Sequence, residues 1–236
     1  MTERAIARGY PNYVPRTRNA ECAPVKLLRW SAPMRAVTTG GWYLPPVAQN
    51  AYSRFTFAEY IRLERDSGTK HELLDGVAYA MAGGSADHAA LAVAVSTALS
   101  VQLAGRPGRV FSSDLRVRSR ATGLTTYADT TVVCGHVEPD PEDPHTVLNP
   151  IVLVEVLSPS TEEYDRGAKL GHYKTIPALR EIALVAHDRA EIEIHRRTDD
   201  DTWSVHVARA GAVADLVSIG ARLVVDAIFL DPLAVG

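Results

Sequence analysis

One strand constrains what this chain can fold into. Ile151 to Leu157 is a run of branched apolar residues interrupted only by Glu155, with Pro150 before it and Ser158-Pro159-Ser160 after it. An apolar run of this length reads as a central strand buried on both faces. A carboxylate inside it is costly unless a cation meets it. Glu155 therefore either pairs with a basic side chain for structure or binds a metal.

Around that strand, the 236 residues suffice for one generous domain or two small ones. The net charge of -3 supplies no global basic field, so a nucleic-acid partner has to be met by a local patch. Cys22 and Cys134 stand far apart without zinc spacing and read as free thiols in a reducing compartment. With no run of eighteen apolar residues and no secretory signal, the expectation is a cytoplasmic protein without a membrane span.

Residues 1–50 differ from the rest. Prolines at 11, 15, 24, 33, 45 and 46 break any period, and Arg4, Arg8, Arg16, Arg18, Arg29 and Arg35 outnumber Glu3 and Glu21. This predicts a flexible arm, or non-native sequence upstream of a start at Met34; its functional alternative is a basic arm that touches a polyanion. Residues 51–236 form the expected folded domain.

Within that domain, Thr56-Phe57-Ala58-Glu59 has capping-box spacing and opens an amphipathic helix to Asp66. Asp75-Gly76 between two apolar runs predicts a hairpin, with Glu72 on its entering strand. Ser85 caps a long alanine-rich helix, Ala86 to Ala104, expected to be buried on more than one side. Strands follow at Val110–Arg118, carrying Asp114, and at Tyr127–Val133, carrying Asp129. His136 to Asn149 reads as a solvated acidic connection. Ser160-x-x-Glu163 predicts a second capped helix through Asp165, Lys169 and Tyr173. Strands at 180–186, 191–196 and 202–208, the last two joined by an Asp199-Asp200-Asp201 turn, and short closing strands near 215–225 complete the chain.

Three acids stand out: Glu72, Asp129 and Glu155. Asp129 and Glu155 lie on successive strands, and neighbouring strands set carboxylates several ångströms apart, a span one divalent cation bridges. Hard oxygen donors without a His or Cys cluster favour magnesium or manganese over zinc. Lys169 is the candidate basic partner; Asp165, Lys169 and Tyr173 share one helix face at spacings of four. A plain structural ion pair is the competing account of Glu155.

These residues carry a resemblance. Residues 55–230 resemble the Uma-two family of restriction-endonuclease-like proteins, a branch of the P-D…(D/E)-x-K nuclease superfamily. The match rests on Glu72-Leu73-Leu74-Asp75-Gly76, Met81 with His88, Asp129, Glu155 through Thr161, and Asp165, Lys169 and Tyr173. The resemblance implies a mixed α/β fold: a restriction-endonuclease-like core with a mixed central sheet flanked by helices. It assigns Asp129 and Glu155 as the catalytic acids, Glu72 as a third metal ligand, and Lys169 as the catalytic lysine, with Mg2+ or Mn2+ as cofactor and DNA as the expected substrate. The sequence departs from the pattern at Ala128, where proline is usual, and at Leu157, where the superfamily places its lysine. His88 is a candidate for phosphate contact or proton transfer, and Asp114 a rival ligand. A homodimer is expected by analogy with nucleases that cut both strands. The alternative is an inactive nuclease-fold module that binds nucleic acid or a protein partner.

Overall fold

The computed structural model describes residues 54–81 and 83–231. The expected arm, Met34 and Cys22 all lie outside the described residues.

The chain begins with helix α1 (Phe57–Asp66), where Thr56 and Glu59 form the predicted capping box. Phe57, Tyr60 and Ile61 bury its apolar face, and the Tyr60 hydroxyl donates to His71 O at 2.7 Å. Strands β1 (His71–Leu74) and β2 (Val77–Ala80) pair antiparallel across Asp75-Gly76, both with positive φ (51° and 78°). A two-residue turn with both positions left-handed matches the twist of the flanking strands, which is why Asp-Gly serves there.

Ser85 caps helix α2 (Ala86–Leu103). Burial on more than one side is not what forms: Leu91, Val95, Leu99 and Leu103 make a single buried stripe, while Val93 and Val101 are 65% and 71% exposed. Alanine contributes too little side chain to require a second covered face. Among the described residues α2 is the one helix with the length and mean hydropathy, 1.2, to cross a membrane by composition alone, although its stripe is in the core.

The main sheet has six strands in the order β12-β11-β10-β9-β6-β3: β3 (Gly108–Ser112), β6 (Thr130–Cys134), β9 (Val152–Val156), β10 (Glu181–Val185), β11 (Glu191–Arg197) and β12 (Trp203–Arg209). As expected, β9 is central and wholly buried. It runs antiparallel to β6 and parallel to β10. Its alternate residues serve two cores: Val152, Val154 and Val156 pack with the α2 stripe, whereas Leu153 and Leu157 pack with Leu170, Tyr173 and Ile176. By the same alternation Glu155 faces the second core, the side of the crossover helix.

That crossover spans Glu162 to Tyr173. Helices α3 (Glu162–Tyr164) and α4 (Leu170–Tyr173) are joined by a wide turn of π geometry over Asp165–Lys169. The second capping box does not form. Thr161 occupies the cap position without a side-chain bond, because the Ser158 hydroxyl is hydrogen-bonded with those of Ser160 and Thr161.

A second six-stranded sheet has the order β2-β1-β5-β4-β8-β7, adding β4 (Arg116–Arg118), β5 (Thr125–Thr126), β7 (Pro139–Asp140) and β8 (Asp143–Val147). Two expectations are corrected here. Residues 110–118 form not one strand but two, β3 and β4, in different sheets, and Asp114 lies in the turn between them. His136 to Asn149 is not a solvated loop; it contains the β7–β8 pair, with Asp140 and Asp143 buried. Arg118 Nη1 donates to Asp140 Oδ2 and Arg116 Nη2 to Asp143 Oδ2, each at 2.9 Å. Acidic composition reads as solvent-exposed only while no buried arginine answers it. A closing hairpin, β13 (Val213–Leu216) and β14 (Ala221–Val224), leads to a last short helix, α5 (Val225–Ile228).

Candidate active site

The site lies where the chain passes from one sheet to the other. Thr126 ends β5, and Tyr127, Ala128 and Asp129 lead into β6. In the antiparallel register Thr130 faces Val154 and Thr131 faces Leu153. Continued by one residue, that register sets Asp129 opposite Glu155, on the same face of the sheet. The Val156 backbone N–H donates to Asp129 Oδ2 at 2.7 Å, which fixes the carboxylate at the strand end.

Glu155 is buried against the crossover helix. Lys169 Nζ stands 2.9 Å from its Oε1, and the Tyr173 hydroxyl donates to the same oxygen at 2.5 Å. Lys169 also stands 3.3 Å from Asp165 Oδ1. The wide turn brings both Asp165 and Lys169 into buried positions beneath Glu155. Burial pushes the Glu155 carboxyl up to about 8, Lys169 pulling against it and Asp129 and Asp165 adding to the rise. Burial alone would lower Lys169, but Glu155, Asp165 and Glu72 together lift it above the ordinary lysine range. No arginine pairs with Asp129 or Glu155 among the described residues.

The remaining site residues fall into place around this pair. Glu72 accepts from the Thr126 hydroxyl at 2.6 Å and from the Tyr164 hydroxyl on its other oxygen. Glu72, Asp129, Glu155, Asp165 and Lys169 line one cleft of about 590 Å³. His88, near the start of α2, brings Nε2 to 3.3 Å from Asp129 Oδ2, and that contact raises the imidazole above its ordinary range. Asp114 is excluded: its carboxylate is exposed and paired with Lys70 at 2.6 Å, outside the cleft. The sequence reading missed Thr126 and Tyr164. Their signal was weak: Thr126 lies three residues before Asp129, and Tyr164 is adjacent to Asp165.

The profile of the Uma2 family, described as "Putative restriction endonuclease", matches residues 57–224. The chain belongs to the Uma2 family. Two Synechocystis proteins are similar to it. The first, slr1290, is 37% identical over 174 residues, covering 72% of this chain and 89% of its own. The second, sll1609, is 30% identical over 148 residues, covering 63% and 84%. Among solved structures, that of a "putative nuclease belonging to DUF820" from Anabaena variabilis superimposes with a TM-score of 0.58 at 16% identity, over 69% of this chain and 91% of that one. The Uma2 chain thus has the expected mixed α/β, restriction-endonuclease-like fold, and the cleft carboxylates lie within its matched span.

Proposed function

We propose that this Uma2 protein is a magnesium- or manganese-dependent endonuclease that hydrolyses phosphodiester bonds in DNA. The observation that carries this reading is the pairing of Asp129 with Glu155 across the β6–β9 ladder, beside the buried ammonium of Lys169. Among the described residues no three carboxylate, imidazole or thiol groups converge as a ready-made metal shell. Magnesium does not require one: it is ordinarily held by one or two carboxylates, with water and substrate phosphate completing its octahedron. Among the described residues no hydrogen bond falls on Asp129 Oδ1 or Glu155 Oε2, so each acid keeps one oxygen for such an ion. Glu72 would join through a lone pair left by its two hydroxyl bonds.

When bound, the ion would polarise the phosphodiester and acidify a water. The protein groups divide the remaining work. Val156 N–H and Tyr173 O–H orient the two acids. Lys169, held between Glu155 and Asp165, offers positive charge to the phosphate as negative charge builds on it. His88, beside Asp129, contacts phosphate or carries a proton. A homodimer would present two such clefts to the two strands of a duplex.

The test is plasmid nicking with magnesium, wild type against Asp129→Ala. Wild type is expected to convert supercoiled to open-circular DNA, and equal activity in the variant would assign the cutting to a contaminant. A second reading has one observation in its favour: Lys169 already neutralises Glu155 with no ion needed. On that reading the protein binds nucleic acid or a protein partner without cutting, and calorimetric titration with magnesium releases no binding heat.

A further inference from the structure

A second cavity, about 670 Å³, adjoins the cleft. The two share Met81, Gly83, Gly84, His88, Tyr127 and Asp129, so Asp129 and His88 stand at a saddle between them. Gly84 makes the saddle possible: a Cβ there would lie 2.5 Å from His88 Nδ1, and only glycine lets the imidazole rest over Asp129. A strand whose phosphate sits at Asp129 and Glu155 must leave the cleft in two directions. One passes the Ser158–Thr161 loop; the other crosses the saddle into this cavity.

Its lining identifies the occupant. Ala89, Ala92 and Val93 of α2 form an uncharged wall, and Thr97, Ser112 and Ser113 supply hydroxyls. Besides His88 and Asp129 at the saddle, the charged group on the lining is Lys70, whose ammonium is already met by Asp114 at 2.6 Å and by Ser113 O at 2.9 Å. Such a surface offers little to a run of phosphates, but suits the flat apolar face and polar edge of a base with its sugar. We infer that this cavity is a subsite for one unpaired nucleoside next to the scissile phosphate. The inference rests on the nuclease reading for its ligand class. It extends that reading to a preference for single-stranded DNA, or for duplexes with an unpaired position beside the cut, because a base held in a pair cannot enter.

The test is fluorescence anisotropy of a short fluorescein-labelled single-stranded oligodeoxynucleotide, and of its duplex, with the full chain in EDTA. Ala92→Trp fills the cavity. Because Ala92 packs partly against the core, Val93→Glu, at an exposed position, places a charge on the same wall without disturbing the fold. Each variant is expected to weaken single-strand binding about tenfold, and Val93→Glu to do so while keeping the wild-type unfolding temperature and magnesium heat. The duplex is expected to bind more weakly and to change less. Wild-type affinity in both variants, or equal losses on single strand and duplex, overturns the subsite and leaves the hydrolytic reading standing. If wild type binds no oligonucleotide, the subsite fails, and plasmid nicking with magnesium decides the hydrolytic reading separately. If the variants behave as expected but no DNA is cut, the subsite stands and hydrolysis falls.

Discussion

Two of the places where the molecule buries charge are built differently. In the second six-stranded sheet Arg116 meets Asp143 Oδ2 at 2.9 Å, while the Thr146 hydroxyl donates to the same oxygen at 2.7 Å. The Tyr127 hydroxyl accepts from Arg116 and donates to Glu64. Burial works against the Asp143 charge, yet Thr146 and Arg116 outweigh it and hold the carboxyl below its ordinary range. In the cleft one lysine serves Glu155 and Asp165, with Glu72 and Asp129 nearby, and Glu155 is driven the other way, up to about 8. A planar guanidinium distributes several donors and settles its acids. A single ammonium among four carboxylates leaves an excess of negative charge, which on the proposed reading a divalent cation would balance. On that reading the first cluster serves stability and the second serves the chemistry.

The largest effect that could break this contrast is on cleavage. Asp129→Ala and Glu155→Ala should each lower plasmid nicking by on the order of a hundredfold or more. Asp143→Asn, compared at equal folded fraction, should nick like wild type. A similar loss in all three would mean that the clusters are not functionally distinct. Next in size is stability. Asp143→Ala removes one partner of a buried pair and should cost about 3–5 kcal/mol in urea unfolding. Glu155→Gln, compared near pH 4.5 where the folded-state Glu155 carries its proton, keeps the shape and a hydrogen-bonding capacity beside Lys169 and Tyr173, and should stay within about 1 kcal/mol of wild type. A larger loss for Glu155→Gln than for Asp143→Ala would invert the comparison.

The two clusters also differ in how far the sequence revealed them. Glu155 announced itself because it breaks an apolar run, and Asp129 because it sits in the otherwise apolar centre of the Tyr127–Val133 segment; both signals are local. The capping box at Thr56 and the Asp75-Gly76 turn were legible for the same reason. Asp140 and Asp143 were not, because a Pro- and acid-rich stretch reads as solvent-facing until Arg116 and Arg118 are known to lie across from it. Those arginines alternate on one short strand, a hint that only the β4–β8 pairing makes meaningful. Tyr164 stayed hidden because its partner, Glu72, lies 92 residues earlier on β1, and no local pattern links the two.

Opposite pKa directions sharpen the contrast through pH. Asp143 has a lowered folded-state pKa, so its contribution is present above the ordinary aspartate range and is lost as the pH falls through the folded value. Glu155 has a raised one, so its contribution is fully present below about 4.5 and is lost as the pH rises toward about 8, with a limiting slope of about 1.4 kcal/mol per pH unit. Unfolding free energies measured between those limits should flatten in Glu155→Gln. In Asp143→Asn they should flatten only at the acid end. An unchanged profile in Glu155→Gln would mean that Glu155 is ionised throughout.

The smallest effect tests which tyrosine belongs to which cluster. The Tyr173 hydroxyl donates to Glu155 Oε1 and favours the ionised form. Tyr173→Phe removes that donor and should move the pH midpoint of magnesium binding upward by about one unit, the worth of one hydrogen bond to a charged group. Affinity should therefore fall several-fold near neutrality and return in more alkaline buffer, because the ion competes with a proton for Glu155. A packing defect would instead weaken binding equally at every pH. Tyr127→Phe provides the counterpart: its hydroxyl serves Arg116 and Glu64, so the magnesium midpoint should stay in place while the unfolding temperature falls. If Tyr127→Phe moved the midpoint and Tyr173→Phe did not, the acid whose charge state governs the ion would not be Glu155.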